Sequence, residues 1–119
     1  MSRCKCIGWW QQEGYGRQPM HELQIAFQQS QIVGSGVDMI APFTLSGNLR
    51  SDGTVEFVKQ YTGRHTVLYA GQYDGEGTFY GMWDIGGFRG QWSIKVVQPE
   101  RSGSTDEGYE EVSRRDVSA

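Results

Sequence analysis

Turn signals break this chain at nearly even intervals: EGYG (13–16), FQQSQ (27–31), MIAP (39–42), RSDG (50–53), TGR (62–64), YDGEG (73–77) and IGGF (85–88). Asp-Gly and Gly-Gly pairs supply the positive φ that hairpin turns demand. The segments between them have almost no helix-forming runs and fit strands, roughly 4–12, 18–28, 31–38, 42–50, 54–61, 65–73, 78–85 and 89–97. Consecutive strands joined by tight turns describe an all-β antiparallel meander. Closing it removes the edges that would otherwise pair with other chains. The expected fold is an eight-stranded antiparallel up-and-down β-barrel.

Alternation assigns the inward face. Leu23, Ile25 and Phe27 share a side, as do Phe43, Leu45, Gly47 and Leu49, then Phe79, Gly81, Trp83 and Ile85, then Gly90, Trp92, Ile94 and Val96. Glycines on inward positions let a strand bend or leave room for a bulky side chain opposite. At 119 residues, with 17 glycines and 13% aromatics, the chain suits one domain of short strands around a single core.

After Val97 the alternation stops. Residues 1–98 balance their basic and acidic residues, and the formal charge of −3 comes from the stretch after them. The expected division is a β-barrel domain over 1–98 and a flexible, disordered acidic tail over 99–119, in which Tyr109 and Val112 are the apolar residues available for docking. No basic footprint for nucleic acid or an anionic membrane is present. The start MSRCKCIGWW lacks the apolar core of a signal peptide, so the expected location is cytoplasmic. Cys4 and Cys6 lie too close in sequence for an unstrained bridge and are read as thiols. Neither His21 nor His65 stands at ligand spacing to them, so no metal or cofactor is expected.

The hairpin FVKQYTGRHTVLYAGQY (57–73) raises the main question. With Thr62-Gly63-Arg64 as the turn, Tyr61 meets His65, Lys59 meets Val67, Phe57 meets Tyr69 and Val55 meets Gly71. Lys59, Tyr61, His65 and Tyr69 thus share the inward face with Phe57. One reading is a wet barrel mouth, where Lys and Tyr bury their stems and hydrate their tips. The other is a ligand site in which Phe57, Tyr69, Trp83 and Trp92 pack a small molecule while Lys59, Tyr61 and His65 hold an anionic or hydrogen-bond-accepting end. Asp38 either caps its turn or projects over the mouth as a further ligand group. Gly34-Ser35-Gly36 lacks the strand-turn-helix context of a phosphate loop and reads as a bent strand.

The order VEFVKQYTGRHTVLYAGQY followed by GMWDI resembles the middle hairpin of avidin- and streptavidin-type barrels. Together with GSGVDMIAPFTLSG, it is also similar to a small uncharacterised all-β domain family of bacteria. The resemblance spans about residues 7–97 and implies a calycin-type barrel. Biotin sites of that type use Ser and Thr on the hairpin, tryptophans, and an Asp late in the chain. Here the matching positions read His65, Val67, Phe57 and Tyr69, and RGQWSIKVV contains no Asp.

The function expected from the sequence is therefore a non-catalytic small-molecule-binding β-barrel whose ligand is not biotin. Its site comprises Phe57, Lys59, Tyr61, His65, Tyr69, Trp83 and Trp92, with Asp38 at the mouth. The alternative is a structural or protein-interaction barrel with a side-chain-filled interior. No paired carboxylates, Ser/His/Asp set or metal cluster falls on the inward faces, so no enzyme is expected. On the outer face Val58, Leu68, Ala70, Tyr80 and Met82 fall side by side and predict a homodimer interface. Avidin-like barrels associating through outer sheet faces imply the same.

Overall fold

In the computed structural model, residues 2–99 are described, with side chains over 3–97. They form eight strands: β1 (Ser2–Gln12), β2 (Gly16–Gln28), β3 (Gln31–Val37), β4 (Pro42–Leu49), β5 (Thr54–Tyr61), β6 (Thr66–Tyr73), β7 (Thr78–Ile85) and β8 (Phe88–Pro99). Each pairs antiparallel with its neighbour in the chain, and β1 pairs with β8 to close the barrel. The β8 strand reaches Pro99, one residue into the segment assigned to the tail. The rest of that expected tail, with Tyr109 and Val112, lies outside the described residues.

The expected registers hold where the turn chemistry is simple. Phe57 pairs with Tyr69, Lys59 with Val67, Val58 with Leu68 and Val55 with Gly71. The Gly34-Ser35-Gly36 run lies within β3, paired along its length with β4, while on the β2 side Gly34 and Ser35 are paired and the register shifts at Gly36. Gly86 and Gly87 take φ of 58° and 96° in the tight β7–β8 turn, a pair of left-handed conformations that residues with a Cβ resist.

Two irregularities were not visible in the alternation. In β2 an extra residue enters between Met20 and Leu23, with Glu22 at φ 52°, so that both apolar side chains face inward although three positions apart. In β8 the register shifts opposite Lys5 and Cys6, and Val97 is turned to solvent while Val96 packs on the core. Because β1 and β8 are the closure pair, each end strand extends as far as its partner supplies hydrogen bonds. Alternation within one strand carries no information about that.

The core fills the barrel. Ile32, Leu45, Val55, Phe57, Trp92 and Ile94 are all buried inside it. The end carrying the β2–β3 and β6–β7 turns is plugged by stacked rings, Phe27 on Phe79 at 6.0 Å and Tyr73 on Phe79 at 4.5 Å. The β1–β2, β3–β4, β5–β6 and β7–β8 turns gather at the other end, and the interior opens there.

Candidate functional site

Strand β5 places Val55, Phe57, Lys59 and Tyr61 inward by strict alternation, so Lys59 enters the barrel with its apolar neighbours and is 0% exposed. A bare ammonium there would be very costly. Its ordering partner comes from the β3–β4 turn. Asp38 Oδ1 accepts the Ile40 N–H at 2.9 Å, and the Asp38 N–H donates to the Ala41 carbonyl at 3.3 Å. This Asx-type turn folds the connection over the barrel end and directs Oδ2 inward. That oxygen accepts from Lys59 Nζ at 2.7 Å, the Tyr61 hydroxyl at 2.7 Å and Trp10 Nε1 at 3.1 Å. The cap and the inward-projecting carboxylate, alternatives in the sequence, are the two oxygens of one side chain.

Lys59 uses its remaining donors on the Tyr69 hydroxyl at 3.1 Å and on Met20 Sδ at 3.8 Å. Its ammonium lies 4.3 Å from the Phe43 ring centroid and 4.8 Å from that of Tyr61, so aromatic faces replace part of the lost hydration. Burial pulls its pKa down to about 8, and Asp38 opposes that fall. Burial pushes the Asp38 carboxyl up, but the Lys59 hydrogen bond and charge, with the Ile40 N–H and the Tyr61 hydroxyl, carry it below the ordinary aspartate value. At neutral pH the two therefore form a buried ion pair. Burial raises the hydroxyl pKa of both Tyr61 and Tyr69 well beyond the usual tyrosine range, helped by the Asp38 hydrogen bond and charge at Tyr61 and by the Asp38 charge at Tyr69.

Beside this cluster lies a half-open recess of about 60 Å³. Trp10, Tyr61, Tyr69 and Trp83 form its aromatic walls, Ile40, Val67 and Ile85 its aliphatic ones, and Gln12 and His65 contribute to its lining. Trp10 meets Trp83 edge to face, with ring centroids 6.4 Å apart. Gly90 sits opposite Trp83, and a Cβ there would come within 2.5 Å of the indole nitrogen. The bare backbone lets the indole lie against β8 and donate from Nε1 to the Gln11 carbonyl at 3.0 Å.

Of the residues singled out in the sequence, Tyr61, His65, Tyr69 and Trp83 meet at this recess. His65 is exposed at the turn, its ring 5.2 Å from that of Tyr61. Phe57 and Trp92 stand behind the wall. Their rings lie 5.2 Å apart, and 5.8 and 5.1 Å respectively from Tyr69. Lys59 and Asp38 also lie outside the lining, bound to each other. Trp10, Gln12, Ile40, Val67 and Ile85 were not assigned to the site from the sequence. The inward series Cys6, Gly8, Trp10, Gln12 carries the signal for two of them, but only closure of β1 onto β8 brings Trp10 to Trp83.

No three of His, Cys, Asp and Glu come together as a metal-binding group among the described residues. Burial pushes the Cys6 thiol up to about 12, which removes its nucleophilic thiolate at neutral pH. No protein-family model matches the chain, and neither do any of the curated proteins or solved structures compared with it. The class defined by the architecture is a closed eight-stranded antiparallel meander barrel, compatible with a calycin-like fold.

Proposed function

We propose that this barrel is a non-catalytic binder of a small molecule at its open end. The observation that carries the reading is the aromatic recess formed by Trp10, Tyr61, Tyr69 and Trp83 beside a fully neutralised ion pair. Small-molecule sites combine such apolar walls with a few placed polar groups. The hairpin order similar to that of avidin-type barrels favours a ligand held inside the mouth. The substitutions at the biotin-contacting positions argue against biotin itself.

Proton-transfer chemistry has little support here. Lys59 is engaged on every donor, and Tyr61 and Tyr69 retain their protons well beyond neutral pH. A thermal-shift screen of small carboxylates, aromatic acids and vitamins tests the binding reading, with Val67→Trp as a variant whose recess is filled. A stabilising compound that loses its effect in Val67→Trp supports it. A screen with no stabilising compound leaves the structural or interaction barrel.

A second reading concerns the outer face, where one observation favours association. Val58 pairs with Leu68 and Ala70 with Met82, while Tyr80 continues the patch on β7, and all of these side chains are exposed. Charge enters this face at Glu56, beside Ala70, and at Asp84, beside Leu68, each carboxylate held by an arginine, Arg50 and Arg89 respectively. Contiguous exposed apolar side chains on a sheet face usually mark a contact site. A second copy of the chain, docked by two-fold symmetry, would cover the patch.

A further inference from the structure

The polar inventory of the recess narrows the class of ligand. Lys59 has three N–H bonds, and each has a partner in Asp38, Tyr69 or Met20. Trp10 Nε1 is committed to Asp38, Trp83 Nε1 to the Gln11 carbonyl, and the Tyr61 hydroxyl proton to Asp38. Tyr69 is different. Its oxygen accepts from Lys59, but its own hydroxyl proton has no acceptor among the described residues. The side chain is only 2% exposed and lines the recess. A buried donor left without an acceptor is costly, and native proteins usually satisfy such groups with a neighbour, water or ligand.

Charge is constrained as strongly. The formal charges behind the wall, Lys59 and Asp38, cancel at 2.7 Å. An anion entering the recess would leave water among indole and aliphatic groups and find no free ammonium, while His65 stands at the exposed turn where water screens it. A cation would find the Asp38 carboxylate already filled.

We propose that the recess takes a neutral, flat molecule through one hydrogen-bond-accepting atom, which receives the hydroxyl proton of Tyr69. The proposal rests on the ligand-binding reading above and deepens it. The aromatic walls set the preference for a flat ring, and the small volume of the recess, about 60 Å³, limits the inserted part to a ring edge and its acceptor. The remainder of the molecule occupies the open mouth.

The test uses the full chain and three probes sharing one ring: benzamide, benzoate and toluene, followed by NMR titration. Benzamide is expected to bind at least about tenfold more tightly than benzoate or toluene, since each alternative lacks neutrality or the acceptor. The Tyr69→Phe variant should weaken benzamide by about tenfold and leave toluene unchanged. The Cζ resonance of Tyr69 in the wild-type chain reads the same bond, moving with benzamide and not with toluene, should the variant fail to fold. Benzoate binding as tightly as benzamide overturns the neutral class while leaving ligand binding intact. Toluene binding as tightly as benzamide, or an unmoved Tyr69 resonance with benzamide bound, overturns the hydrogen bond. If none of the three binds, the proposal fails on these probes, and the broader binding reading is then decided by its own screen.

Discussion

Lys59 Nζ lies 2.7 Å from Asp38 Oδ2 inside the barrel, joining the middle of β5 to the turn that crosses the open end. Both side chains are removed from water, so neither can lose the other without leaving a buried charge. Lys59→Met is expected to destabilise the protein by about 3–5 kcal/mol, the usual cost of breaking a buried pair by removing one partner. The double variant Lys59→Met with Asp38→Leu should recover part of that loss. Full recovery is not expected, because Tyr61 and Trp10 lose their acceptor and Ile40 its cap. Urea denaturation of the single and double variants measures the difference, and equal stability of all three forms would remove the pair's structural role.

The same cluster shapes stability against pH. The Asp38 pKa is lower in the folded state than in the unfolded one, so its contribution is present above the ordinary aspartate value of 3.8 and is lost as pH falls through the folded pKa. Tyr61 and Tyr69 titrate in the other direction. Above pH 10.0 the unfolded chain releases their protons while the folded chain keeps them, so stability falls as pH rises. Lys59 contributes an opposite slope between about pH 8 and 10.5, because there the unfolded state binds the extra proton. Tyrosinate absorbance should show Tyr61 and Tyr69, two of the six tyrosines, ionising only on unfolding. Ionisation of all six in the native protein near pH 10 would contradict the burial of their hydroxyls.

At the outer face, Leu68 is 58% exposed and paired with Val58. Leu68→Asp places a charge at the centre of the proposed interface without touching the core. Light scattering should show the wild type at dimer mass and the variant at monomer mass, with an unchanged β-sheet circular dichroism spectrum. A wild-type protein that is monomeric at tens of micromolar excludes the homodimer.

Gly90 supports the recess from behind. Its substitution by Ala would drive a methyl group into the Trp83 indole and against the Gln11 carbonyl. The indole must then leave its hydrogen bond, so Gly90→Ala is expected to cost about 1–3 kcal/mol and to change tryptophan fluorescence. Ligand affinity at the recess should fall with it. An unaltered emission spectrum would show that the strand, rather than the indole, absorbs the strain.

Much of the architecture was legible because it depends on local chemistry. Turn residues placed the strand boundaries, and a side-chain period of two put Phe57, Lys59, Tyr61 and Tyr69 on one face with the registers seen in the barrel. What a strand cannot specify is its partner across a closure or a loop. Asp38 is remote from Lys59 in sequence, and its carboxylate reaches the core only because the Asx turn folds inward. Trp10 joins the site only because β1 meets β8, and Met20 points inward only because the Glu22 bulge shifts the phase of β2. The sequence by itself determined that a lysine would enter an aromatic barrel. The tertiary structure alone decided that this lysine would be neutralised there, since burial leaves a charge no alternative to a partner brought in by the fold.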